Sequence, residues 1–166
     1  VAGSVSSATV SITVSQSPTF FTAQNPAPIG TVGTAFTNYT FVANGTPAPT
    51  YSVGSGSLPT GLTLSSAGTL SGTPTVTGNF NFTVQASNVA GSVSSATVMI
   101  TVQGAPTAFS AQTPATTGTV GTAIPSYTFL ADGFPPPIFS LDSGSLPMGL
   151  TLSPSGQFFG TPTQSG

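Results

Sequence analysis

Two stretches of this chain are nearly the same stretch written twice: LPTGLTLSSAGTLSGTPTVTG from Leu58 to Gly78, and LPMGLTLSPSGQFFGTPTQSG from Leu146 to Gly166, 88 positions later. An internal repeat constrains a fold more than any single motif, because each copy must form its core with the same pattern of residues. The match extends outward, and 37 of the 61 positions from Pro18 to Gly78 recur between Pro106 and Gly166. At the amino-terminal side, thirteen of the fourteen residues from Val1 to Val14 recur between Val89 and Val102. A period of 88 residues suits one small β-sandwich per unit. The chain is therefore read as residues 1–17, a last strand of a preceding or neighbouring unit plus a linker; 18–105, a complete unit; and 106–166, a unit without its closing hairpin.

Within a unit, short apolar alternations are punctuated by glycine and proline, the pattern of an all-β domain. Phe80, Phe82, Val84 and Ala86 alternate with Asn81, Thr83, Gln85 and Ser87, and a turn at Asn88–Gly91 leads to Val98, Ile100 and Val102 facing inward. This is the closing hairpin. Earlier in the unit, Phe21 opens a first strand, Gly30-Thr-Val-Gly33 makes a bend, and Tyr39, Phe41 and Ala43 alternate along a second strand. Pro47 and Pro49 place the following segment at a sheet edge, since proline gives no ladder N–H. Gly54-Ser-Gly56-Ser reads as a flexible loop, because it lacks the lysine and the following helix of a phosphate loop. Leu62 and Leu64 are core candidates after the turn Pro59-Thr-Gly61. Ser15–Pro18 and Gln103–Pro106 are short, proline-ended linkers, which favour a semi-rigid rod.

Charge sets what such a chain can do. There is no Lys, Arg, His or Cys, and the only acids are Asp132 and Asp142. Without cations, phosphate neutralisation and polybasic contact with a membrane surface are both excluded. Triads and dyads built on His, Cys or Lys are excluded as well. A net charge of -2 opposes association between copies only weakly. No apolar run reaches the length of a membrane span.

Gly33-Thr-Ala-Phe36 with Tyr39-Thr-Phe41, Leu58-Pro-Thr-Gly-Leu62-Thr-Leu64, Gly68-Thr-Leu70, Gly72-Thr-Pro-Thr75 and Phe82-Thr-Val-Gln-Ala86-Ser-Asn88 together resemble the Ig-like, cadherin-like tandem repeats of bacterial and archaeal surface proteins. The resemblance covers the whole first unit and the available part of the second. It implies extracellular tandem β-sandwiches with no enzymatic activity and no cofactor, and it carries over no catalytic residue. Cadherin-like relatives hold calcium through clustered carboxylates. Here Asp132 matches Asn44 and Asp142 matches Gly54, so two non-equivalent acids fall short of such a site.

Other residues carry expectations of assembly or modification. Val1, Val5, Val10, Ile12 and Val14 would form a donated or shared strand. Thr46, Thr50, Thr60 and Ser71 become Phe134, Ile138, Met148 and Phe159 in the second copy, polar-to-apolar changes that suggest a subunit contact or a repacked core. Asn38, Asn44 and Asn81 each open an N-glycosylation triplet. Phe134-Pro-Pro-Pro137 is the counterpart of an edge segment.

The expected function is a structural subunit or segment of an extracellular filament, associating with itself head to tail, with no nucleic-acid partner and no membrane insertion. Two arrangements would complete the second unit: continuation of the chain as a longer array, or a strand from another subunit. The count favours continuation, because a donated Val1–Val14 replaces only the last strand of the hairpin. The alternatives are an adhesin stalk or module that binds surface polysaccharide, and a non-catalytic accessory domain of a secreted enzyme.

Overall fold

The computed structural model describes residues 2–4 and 8–165, and the described residues contain strands and no helix. The first unit contains, in chain order, β1 (Phe21–Ala23), β2 (Ile29–Thr31), β3 (Tyr39–Thr40), β4 (Val42–Ala43), β5 (Thr50–Gly56), β6 (Leu62–Leu64), β7 (Thr69–Gly72), β8 (Gly78–Asn88), β9 (Gly91–Ser94) and β10 (Val98–Gln103). The second contains β11 (Phe109–Ala111), β12 (Tyr127–Thr128), β13 (Leu130–Ala131), β14 (Leu150–Leu152) and β15 (Gln157–Gly160).

The first unit is a two-layered sandwich organised on β8. One layer runs β2-β10-β8-β5, with β9 also on β8; the other is made of β3-β7-β6 and the pair β1-β4. β8 reaches three partners because its 11 residues are long enough to pair with β5 along one edge and with β10 and then β9 along the other. Phe82, Val84, Val98, Ile100 and Val102 from this layer pack on Phe36, Phe41, Leu62 and Leu70 from the other, all nearly or fully buried. Aromatic edges finish the core: Phe41 meets Tyr39 with centroids 5.1 Å apart and Phe21 at 6.4 Å, both T-shaped, the geometry the ring quadrupole favours.

The closing hairpin forms as the alternation predicts, with Asn88 opposite Gly91 at its tip. Its return arm is interrupted. β9 pairs with Gln85–Asn88 and β10 with Gly78–Phe82, and Ser95 lies in the break. The buried Ser95 hydroxyl accepts the Val84 N–H at 2.9 Å and donates to the Ala96 carbonyl at 2.7 Å, so the ladder loses no partner there.

Three expectations need correction. Gly30-Thr-Val-Gly33 is not simply a bend: Ile29–Thr31 is a strand pairing in parallel with Thr101–Gln103. Gly30 packs beneath the Phe36 ring and Pro74, where a Cβ would sit 3.4–3.5 Å from both, and the turn comes only at Gly33, φ +76°. The strand Tyr39–Ala43 divides at Phe41, because β3 pairs with β7 whereas β4 pairs with β1. Phe41 donates its N–H to the Gly68 carbonyl across the break. Gly54-Ser-Gly56 is not a flexible loop but the end of β5, with an irregularity between Val53 and Ser55. Gly56, φ +72°, lies where a Cβ would strike the Asn81 carbonyl, so glycine here allows β8 to approach closely.

As the prolines indicate, β5 is an edge strand beginning just after Pro49. In the second unit β11 to β15 pair as their counterparts do. However, Thr117–Thr119 and Ile138–Gly144, the counterparts of β2 and β5, form no strand. In the first unit β2 pairs only with β10, and β5 only with β8, so these two strands depend on a neighbour the described second unit does not have. Its core is correspondingly looser: Phe41 is fully buried, whereas Phe129 at the same place is only partly buried.

This difference predicts unequal responses to the same substitution. Phe41→Ala should destabilise the first unit by about 3–5 kcal/mol, and Phe129→Ala should cost the second unit well under half as much. A urea titration followed by NMR, which resolves both units, measures the two values; equal losses would contradict the difference in burial.

Candidate functional site

Two features of this chain lie outside the cores: the joint at the start of each unit, and an uncovered face on the second. The joint is the same device twice. Before the first unit, Gln16 and Thr46 exchange both backbone hydrogen bonds, at 2.6 and 3.0 Å; before the second, Gly104 and Phe134 do so, both at 2.9 Å. In each case the side chain two residues before that partner caps the incoming chain. Asn44 Oδ1 accepts the Thr19 and Phe20 N–H groups at 2.8 and 3.0 Å, and its Nδ2 donates to Thr19 Oγ1 at 2.8 Å. Asp132 Oδ1 accepts the Thr107 and Ala108 N–H groups at 2.6 and 2.9 Å, and Oδ2 accepts the Thr107 hydroxyl at 2.5 Å. Asn88 adds a third tie at the first joint, donating to the Gln16 carbonyl at 2.8 Å and the Pro47 carbonyl at 2.9 Å.

Asp132 thus occupies a cap position. The Thr107 hydroxyl, followed by the Ala108 and Thr107 N–H groups, holds its carboxyl below the ordinary carboxylate range, since all three favour the ionised form. Among the described residues no group of three or more metal-ligating side chains comes together.

The uncovered face is a groove of about 760 Å³ in the second unit, with Val120, Ile124, Leu146, Met148, Leu150 and Phe158 among its walls. Ile124, Leu150 and Phe158 are the counterparts of Phe36, Leu62 and Leu70, which in the first unit are covered by β8 and β10. The groove is therefore the place that the closing hairpin fills one unit earlier.

At the other end of the chain, Val10, Ile12 and Val14 are 81%, 82% and 79% exposed and belong to no strand. The same residues one period later, Val98, Ile100 and Val102, are 7%, 0% and 0% exposed in β10. Each such side chain left in water forgoes about 1.5–3 kcal/mol of burial. Val1 and Val5 of the expected strand lie outside the described residues.

The substituted positions do not share one surface. Met148 lines the groove, and Ile138 lines a second hollow with Phe109 and Phe139. Phe159 stands opposite Thr151 on β15, and Phe134 is half-buried in the joint. Of the glycosylation triplets, Asn38 is exposed just before β3, and Asn81 is exposed on β8 between β5 and β10. The Asn44 amide nitrogen, where a sugar would attach, is already donating to Thr19.

The duplication of Val10–Val14 was readable in the sequence, but the caps at Asn44 and Asp132 were missed. Their alignment at equivalent positions, each followed by glycine, was the available signal.

With this architecture in view, residues 2–103 match the family model described as "Putative Ig domain", and the chain belongs to that family. No curated protein matches it. Among solved structures, Sidekick-1 immunoglobulin domains 1–4 are 18% identical over 91% of this chain and 42% of theirs, with a TM-score of 0.53. Extracellular domains 3–5 of Drosophila OTK are 22% identical over 90% of this chain and 53% of theirs, TM-score 0.49. A "putative alpha-galactosidase" from Bacteroides fragilis is 26% identical over 52% of this chain, which spans 17% of that protein, TM-score 0.41. The Sidekick-1 likeness shows the tandem Ig fold. The chain spans about a fifth to a half of these proteins' lengths.

The Asp132 cap makes a pH prediction. Its folded pKa lies below the unfolded value of about 3.9, so its contribution to stability is complete above that value and is lost as pH falls through the folded pKa. Asp132→Asn, which installs the residue of the first unit, should keep the cap and remove this acid-dependent loss in the second unit. NMR-monitored unfolding between pH 2 and 6 tests it; an unchanged pH profile in the variant would assign the effect elsewhere.

Proposed function

We propose that this chain is a structural segment of an extracellular filament or surface fibre built from tandem Ig-like units. The observation that carries the reading is the repeated joint. A connector of a few residues, tied down by a reciprocal pair of backbone hydrogen bonds and a side-chain cap, orients the next unit instead of tethering it loosely. Repeating the device at each junction suits an extended rod. The chain's chemistry agrees with this role: its sequence has no His, Cys or Lys to activate its serines and threonines as nucleophiles, and the joints serve connection. Family membership supports the extracellular placement.

Pulsed-dipolar distances between spin labels on Thr63 and Thr151, introduced as cysteines in a chain that has none, test the rod. A narrow distribution is expected, and a Gly-Ser insertion between Ala105 and Pro106 should broaden it severalfold. A distribution already broad in the uninterrupted chain would overturn the reading, as would compact monomers that bind glycans.

A further inference from the structure

We propose that Asn44-Gly45 is a deamidation site: Asn44 loses ammonia to become an aspartate, and the first joint is built to receive that product. The proposal goes beyond the filament reading and does not rest on it. Asn44-Gly45 is the one asparagine–glycine step in the chain, the step most open to this reaction because a glycine nitrogen reaches the amide carbon with no side chain of its own in the way. The packing of the joint keeps glycine there: a Cβ on Gly45, φ +138°, would lie 3.2 Å from Asn88 Nδ2 and 3.3 Å from Pro18 Cγ. The Gly45 N–H donates to no backbone carbonyl among the described residues. Asn44 and Gly45 are both partly exposed, within reach of water.

The reaction needs only water. The Gly45 nitrogen, its proton passed to solvent, bonds to Asn44 Cγ; the Cγ–Nδ2 bond breaks and ammonia leaves. Water then opens the cyclic imide. Attack at Cγ breaks the new bond, returns a proton to the Gly45 nitrogen and leaves an ordinary aspartate, whereas attack at the main-chain carbonyl leaves the β-linked isomer. The joint favours the first outcome. Asn44 Oδ1 already accepts the Thr19 and Phe20 N–H groups at 2.8 and 3.0 Å, and these donors stabilise the negative charge that forms on Oδ1 whenever Cγ is attacked.

The second joint shows the product seated. Thr107, Ala108, Asp132 and Gly133 stand one period after Thr19, Phe20, Asn44 and Gly45, and the Asp132 carboxylate accepts both N–H groups and the Thr107 hydroxyl. After deamidation the Thr19 hydroxyl, which accepts from Asn44 Nδ2, need only turn to donate. A neutral cap becomes a charge-assisted one, and the first unit, which has no Asp, Glu, Lys, Arg or His, gains a negative charge.

The test is to age the purified 166-residue chain at mildly alkaline pH until a urea-unfolded sample has reacted, then to read peptic peptides by electron-transfer fragmentation. Asn44 should gain one mass unit before Asn25, Asn38, Asn79, Asn81 or Asn88 changes. In the folded chain ordinary aspartate should exceed the β-linked isomer by about tenfold or more, whereas the unfolded chain should give mostly the isomer. Asn44→Asp should keep the first unit's urea midpoint at neutral pH, and Asn44→Ala, which removes the cap, should lower it. An Asn44 that stays intact in the folded chain, an excess of the β-linked isomer there, or an Asn44→Asp variant as damaged as Asn44→Ala would each overturn the proposal.

Discussion

Everything in the first unit depends on one contact: the inward face of β8 and β10 lying on Phe41, Leu62 and Leu70. A chain with no cations and two acids gains no side-chain ion pairs, so apolar burial and hydrogen bonding must offset the entropy of ordering. The hairpin that supplies the burial also supplies the ladder. β2 and β5 take their backbone partners from it, and where the second unit has no such neighbour, their counterparts form no strand. Tertiary cover and secondary structure are coupled here, which is the usual situation for strands too short to be stable alone.

The two units therefore act as a comparison made within one molecule. Their shared residues make shared turns. Gly61 and Gly149, at φ +94° and +93°, both sit where a Cβ would collide with the carbonyl of the threonine in the conserved Gly-Thr-Pro step, Thr73 and Thr161 respectively. The small sheets β6–β7 and β14–β15 have the same register. What differs is exposure of the inward face, and that difference follows from cover and not from local sequence. The joints, by contrast, do not depend on the hairpin being present downstream: Asn44 and Asp132 cap with the same geometry in a covered and an uncovered unit.

Much of this was legible in the residues. Alternation over Phe80–Ala86 and Val98–Val102 located β8 and β10, because a half-buried strand has a period of two and these runs are long enough to display it. Glycine and proline located the turns and the edge position of β5. The missed features are of a different kind. A three-residue strand such as β2 has no period to read, and its parallel partner lies some 70 residues away. Gly54 and Gly56 look like a loop until β8 is seen to need the space. Ser95 and the Tyr39, Tyr51 and Tyr127 hydroxyls, which accept backbone N–H groups of Asn25, Ala43 and Thr113, serve donors that only the folded path brings near.

The central claim is that cover by the β8–β10 hairpin, not the sequence of the remaining strands, sets how firmly an Ig-like unit of this chain is held. Amide hydrogen exchange at micromolar concentration measures this directly by comparing Leu62–Gly72 with Leu150–Gly160 in one sample. The account predicts protection at least a hundredfold stronger in the first segment than in the second. Equal protection of the two segments would contradict it.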